Sequence, residues 1–161
     1  MTGGLTHAID LRNDGKFEES NALLLRMVEK WPNDAVLNYQ CAWSFDVLGK
    51  ESEAITYYEN AIELGLAEND LQGALLGLGS TYRALGDYEK SKDVLLKGIN
   101  LFPTNSSIQV FYAMTLYNLN EHHHAMELLL KCLLDTTNDK DILNYQKAIR
   151  FYSDKLNNVW E

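Results

Sequence analysis

Along most of this chain, apolar side chains return every three or four residues, the spacing that keeps them on one face of a helix. Leu5, Ala8, Ile9 and Leu11 make one such stripe, and Asn13-Asp14-Gly15 ends it. Phe17, Leu24, Met27 and Val28 make the next, closed by Pro32, which cannot continue a helix. The same reading predicts helices over about 5–14, 17–31, 35–48, 52–64, 70–85, 88–101, 106–119 and 122–135, with Asp34 as an N-cap. A last segment places Ile142, Tyr145, Ile149, Tyr152 and Leu156 on one face and Lys140, Asp141, Lys147, Asp154 and Lys155 on the other. It predicts one helix over 139–158, amphipathic enough to cap whatever precedes it.

The helices come in pairs with a fixed punctuation. Gly15 is followed five residues on by Ser20, Gly49 by Ala54, Gly86 by Ser91, and Asn120 by Ala125. Asn is the usual substitute for Gly at a helix C-cap. The markers are spaced by 49−15=34, 86−49=37 and 120−86=34 residues. The three extra residues of the middle interval fit best in the 65–72 connection. Small residues recur where paired helices must touch, as at Gly79, Ser91 and Gly98, with Leu78, Tyr82, Tyr88, Leu95 and Ile99 around them.

A period of about 34 residues with this punctuation resembles the tetratricopeptide repeat (TPR) family. With each marker set at place fifteen, place eight holds Ala8, Ala42, Gly79 and Ala113, and place eleven holds Leu11, Phe45, Tyr82 and Leu116. Place twenty-four holds Leu24, Tyr58, Leu95 and Leu129. Place four, often Trp in the family, holds Gly4, Asn38, Leu75 and Gln109, so that anchor is absent. The closing proline stands at Pro32 and Pro103 only. The LGSTYRALG stretch of the third unit is also similar to a subfamily of small bacterial TPR proteins. The resemblance implies one all-α domain over 1–161: a right-handed superhelix of four antiparallel helix-turn-helix units. The units fall at about 1–34, 35–71, 72–105 and 106–139, with the 139–158 helix as a C-terminal cap.

Composition narrows the role. The chain has 161 residues, 46% hydrophobic, and a net charge of −9. That balance argues against a nucleic-acid or anionic-membrane binder, because both require a basic footprint. Apolar runs are too short for a transmembrane helix, and the start shows neither a signal-peptide pattern nor a myristoylation signal. Cys41 and Cys132 lie in different units at places that are interior in the family, which predicts buried, reduced thiols and a reducing cytoplasm.

In the family, the first helix of each unit lines a concave groove. Carried onto this chain, the groove residues are Ile9, Arg12, Tyr39, Trp43, Asp46, Ser80, Arg83, Val110, Met114 and Tyr117. Tyr39 and Trp43 share a face at i and i+4. They serve either to pack against neighbouring helices or to recognise a partner, Trp, Tyr and Arg being the residue types that most often carry binding energy. The resemblance thus implies a non-enzymatic module that binds an extended peptide or a helix through apolar anchors, with a ligand carboxylate near Arg83. The alternative is a structural protein whose groove or cap mediates homo-oligomerisation. The places used by chaperone-clamping relatives hold Tyr39, Trp43, Gly77, Ser107 and Phe111, which do not fit that chemistry.

Catalytic and cofactor signals are weak. His122, His123 and His124 are consecutive, so on a helix they point in directions about 100° apart and do not converge on a metal. Gly77-Leu78-Gly79 sits inside a predicted helix without a preceding strand, which excludes a dinucleotide fingerprint. Glu18, Glu19, Glu51 and Glu53 start second helices, where carboxylates complement the helix dipole. The reading is of no enzyme, no cofactor and no metal.

Overall fold

The structure, a computed structural model, describes residues 2–160. Its described residues form helices and no strand: α1 (Thr2–Asn13), α2 (Phe17–Lys30), α3 (Ala35–Asp46), α4 (Glu51–Leu64), α5 (Glu68–Ala84), α6 (Tyr88–Leu101), α7 (Ser106–Asn118), α8 (His122–Thr136), α9 (Lys140–Asn144) and α10 (Gln146–Tyr152). They gather into two compact units, Met1–Asp87 and Tyr88–Glu161. In the first, α1 packs on α2, α2 on α3, α3 on α4 and α4 on α5; in the second, α6 packs on α7 and α7 on α8.

The periodic markers are the turns. Gly15, Gly49, Gly86 and Asn120 have φ of 78°, 67°, 82° and 63°, the left-handed conformation that glycine, and next asparagine, adopts most cheaply. In each case the following N–H donates back to the carbonyl at place eleven: Lys16 to Leu11, Lys50 to Phe45, Asp87 to Tyr82 and Glu121 to Leu116, at 2.8–3.0 Å. This six-to-one bond closes α1, α3, α5 and α7 in the same way and reverses the chain into the next helix.

Helix starts repeat as well. The Asp34 carboxylate accepts from Leu37 N at 2.9 Å, and the Asn105 side chain accepts from Ile108 N at 3.1 Å, so α3 and α7 carry matching N-caps. Place four, which lacks the expected tryptophan, holds an amide instead. Asn38 Nδ2 donates to the Pro32 carbonyl at 2.8 Å and Gln109 Nε2 to the Pro103 carbonyl at 2.7 Å. The amide thereby pins each new helix to the proline turn that precedes it.

Small residues sit at the crossings. Ser20 is fully buried and donates to the Ala8 carbonyl at 2.7 Å, joining α1 and α2. Ala42 and Ala54 are fully buried on α3 and α4. In the second unit Ala113, Leu116 and Ala125 form a core flanked by Tyr112 and Leu128, and the Ser91 and Thr115 hydroxyls meet at 2.8 Å. Both thiols are free and buried. Burial pushes the Cys41 thiol up to about 12, so it stays protonated and inert at neutral pH.

The C-terminal segment differs from the single helix over 139–158 that its stripe predicts. Asp139 starts α9 by accepting from Asp141 N and Ile142 N. At Tyr145 (ψ 10°) the backbone N–H turns to Ile142, three residues back, and the helix breaks into α9 and α10. Tyr145 is 69% exposed, so no burial holds it in the helical register. α10 packs on α8, and Ser153, 1% exposed, closes it by donating to the Arg150 carbonyl at 2.9 Å. The Arg150–Asp135 pair at 2.8 Å is half-exposed on both sides and adds little.

Ending the chain at residue 138 removes this cover and exposes the α8 face beneath it. The truncated chain is expected to aggregate, seen as loss of the monodisperse peak in size-exclusion chromatography; a soluble, fully folded 1–138 fragment would refute the capping role.

Candidate functional site

Three helices of the first unit enclose a cleft of about 450 Å³, a size that suits a side chain or short ligand segment. α3 contributes Tyr39, Trp43 and Asp46, with Val47 just beyond its end; these are spaced by fours and threes and so lie on one face. α4 contributes Tyr58. α5 contributes Gly73, Leu76, Gly77 and Ser80, again on a single face.

Two glycines bring α5 in. A Cβ added at Gly73 would fall onto Tyr39 Oη, and one at Gly77 onto Tyr58 Oη. The two rings therefore occupy the volume that any side chain at those positions would need. Tyr39 stands 6.1 Å from Trp43 and 6.2 Å from Tyr58, ring centre to ring centre, giving the cleft a wall of three aromatic rings. Burial raises both tyrosines above their ordinary value; Asp70 adds to the effect at Tyr39, and Asp46 at Tyr58. Both phenols are neutral donors across the physiological range.

Asp46 anchors the floor. Tyr58 Oη donates to its Oδ2 at 2.6 Å. Thr81 Oγ1 stands 3.0 Å from its Oδ1 and 2.9 Å from the Gly77 carbonyl, and its single proton serves one of them at a time. Burial pushes the Asp46 carboxyl above its ordinary value and Glu51 adds to the rise, while the two hydroxyls oppose it. Among the described residues Asp46 has no ion-pair partner.

Arg12, expected in the groove, lies behind it. Its guanidinium carbon sits 3.8 Å over the Trp43 ring, Nη2 donates to Gln40 Oε1 at 2.8 Å, and the residue is 7% exposed. This stack covers one face of the indole, and Trp43 remains 41% exposed. The structure thus brings Tyr39, Trp43, Asp46 and Ser80 together. Ile9 is half-buried on α1, and Arg83 is half-buried on α5, one turn beyond Ser80; neither lines the cleft. Val110, Met114 and Tyr117 belong to the second unit, where the Tyr117 ring lies 4.6 Å from that of His122. Sequence reasoning missed Tyr58, Gly73 and Gly77 as cleft residues. The i, i+4 spacing of the two glycines, on the same face as Ser80, was the available signal.

The second unit has a smaller hollow of about 290 Å³ between α6, α7 and α8. Its charges are paired with each other, Lys92 with Glu121 and Lys131 with Glu127, both at 2.6 Å, and His124 Nδ1 stands 3.3 Å from Glu121. Such a hollow has less polarity to offer a ligand than the cleft around Asp46.

A family model described as "Tetratrico peptide repeat" matches residues 35–156. Superkiller protein 3 of Saccharomyces cerevisiae is 31% identical over 96 residues, 55% of this chain but only 6% of that protein's length. Among solved structures, YrrB, described as a TPR protein with an unusual peptide-binding site, has a TM-score of 0.72 at 16% identity, covering 94% of this chain and 77% of its own. MamA of Desulfovibrio magneticus has a TM-score of 0.75 at 15% identity, covering 96% and 87%. At these identities the structural likeness speaks for the fold alone.

The unpaired carboxylate sets a pH dependence. The Asp46 proton is held more tightly in the folded chain than in the unfolded one. As pH rises past 3.8, the unfolded chain therefore ionises there first, and stability falls until the folded carboxyl has ionised too. Asn at this position keeps an acceptor for Tyr58 and supplies a donor for Thr81, whose own proton then serves Gly77. Asp46→Asn is expected to leave stability at pH 7 equal or higher and to flatten this contribution, as measured by chemical denaturation at pH 4 and pH 7. A marked loss at pH 7 would contradict the assignment.

Proposed function

Because the chain belongs to the tetratricopeptide repeat family, we propose that it is a non-enzymatic module that binds a protein or peptide through the α3–α4–α5 cleft. The family supports the broader role of protein–protein interaction scaffold. The observation that carries the finer reading is the cleft itself: three aromatic rings and a carboxylate, packed against a glycine-bearing helix face, with an indole that is 41% exposed. Aromatic side chains on a rigid frame provide large contact area at small entropic cost, and Trp and Tyr dominate binding hot spots. Of the groove of the sequence reading, from Ile9 to Tyr117, this proposal keeps Tyr39, Trp43, Asp46 and Ser80. No helix among the described residues is long and apolar enough to cross a membrane.

One observation favours a second reading, self-association through the cap. Phe151, Tyr152 and Trp160 form an aromatic cluster with ring centres 5.1–6.3 Å apart, each about half-exposed. Exposed clusters of this kind mark interaction surfaces.

Peptides selected by display against the full chain test the cleft. Trp43→Ala is expected to weaken their binding by about 2 kcal/mol or more. That change also uncovers Arg12, so Ser80→Trp, which fills the cleft and leaves the Arg12–Trp43 stack alone, is the companion variant; it is expected to abolish binding with an unchanged circular dichroism spectrum. Unaltered affinity in both variants would eliminate the cleft as the site. For the cap, light scattering on the wild type and on Phe151→Ser decides: the second reading requires a mass above that of the monomer that falls in the variant.

A further inference from the structure

Building on the cleft as a peptide site, we propose that it selects its partner by taking up a lysine or arginine side chain, whose cationic head meets Asp46 while its aliphatic stem lies against the aromatic wall. The partner is therefore a basic segment, where the sequence reading pointed to a carboxylate.

Among the described residues Asp46 lacks a cationic partner. It lines the cleft, yet its oxygens meet only neutral hydroxyls, those of Tyr58 and Thr81. It is the last residue of α3, where the helix dipole already presents partial negative charge. Glu51 of α4 acts on it with like charge. A half-buried carboxylate in such surroundings is disfavoured by every neighbour except its two hydrogen-bond donors, and a cation entering from the cleft relieves all of these terms at once.

The other charges agree in sign. Asp70 of α5 acts on the Tyr39 end of the same wall. Arg12 on α1 is withdrawn behind Trp43, 7% exposed, and lines no part of the cleft. An anionic ligand would have to dislodge that stack to reach it. A cationic ligand meets Asp46 directly, with the rings of Tyr39 and Tyr58 beside it to interact with the charge and to cover the methylene stem. The net charge of −9 draws basic partners from a distance and repels acidic ones.

Calorimetry on the display-selected peptides tests this. The selected sequences are expected to carry Lys or Arg next to an apolar residue. Replacing that Lys by norleucine, or Arg by Gln, is expected to raise Kd at least about tenfold, and Asp46→Asn to do the same. In the Asp46→Asn protein the charged and neutral peptides should bind alike, because the two changes remove one shared interaction. The peptide substitution leaves the protein untouched, so a folding defect cannot imitate the result. Peptides that lack a required cation, or that ignore Asp46→Asn, yet are lost with Ser80→Trp would overturn the cation and leave the cleft standing. Peptides that survive Ser80→Trp would overturn both.

Discussion

The first unit depends on two missing methyl groups. Tyr39 and Tyr58 reach across from α3 and α4 into the space left by Gly73 and Gly77 of α5. A side chain at either glycine would force a buried ring aside. The close approach also sets the polar geometry, because the Tyr58 ring delivers its hydroxyl to Asp46 and the Gly77 carbonyl shares Thr81 with the same carboxylate. Aromatic wall, carboxylate and backbone spacing are thus one interaction seen from three sides.

Around that contact the charges are sorted by depth. Arg12 is sunk beneath an indole and tied to an amide, which holds a cation without an anion: the ring face supplies electrostatics and Gln40 a hydrogen bond to Nη2, while Nη1 has no hydrogen-bond partner among the described residues. Asp46 is left nearer to solvent with neutral donors only. Direct pairing of the two would have closed the site on itself; their separation by Trp43 leaves one charge structural and the other available. The hollow of the second unit shows the contrary arrangement, with lysines and glutamates already joined.

The repeat is legible in the sequence because it is written in backbone conformation. A left-handed residue is required after each first helix, and only Gly or Asn fills it at small cost, so the four markers stand out in the linear chain. Small residues at Ala8, Ser20, Ala42 and Ala54 follow from helix crossings that repeat with the same period. The C-terminal segment was less legible. Its stripe of apolar residues fits one helix, but Tyr145 is not buried, and three-residue and four-residue hydrogen bonds differ too little in energy for periodicity to choose between them.

As far as the end of α8, the sequence alone therefore determined which elements form and where they reverse, and it placed Tyr39 with Trp43 and Asp46 on one helix face, since all of these follow from spacing along a single helix. Only the tertiary structure decided what those faces meet. That Gly77 makes room for Tyr58, that Arg12 turns inward, and that Asp46 is met by two hydroxyls are contacts between residues 12 to 35 positions apart. Such contacts depend on how closely two helices approach, and helix periodicity carries no record of that distance.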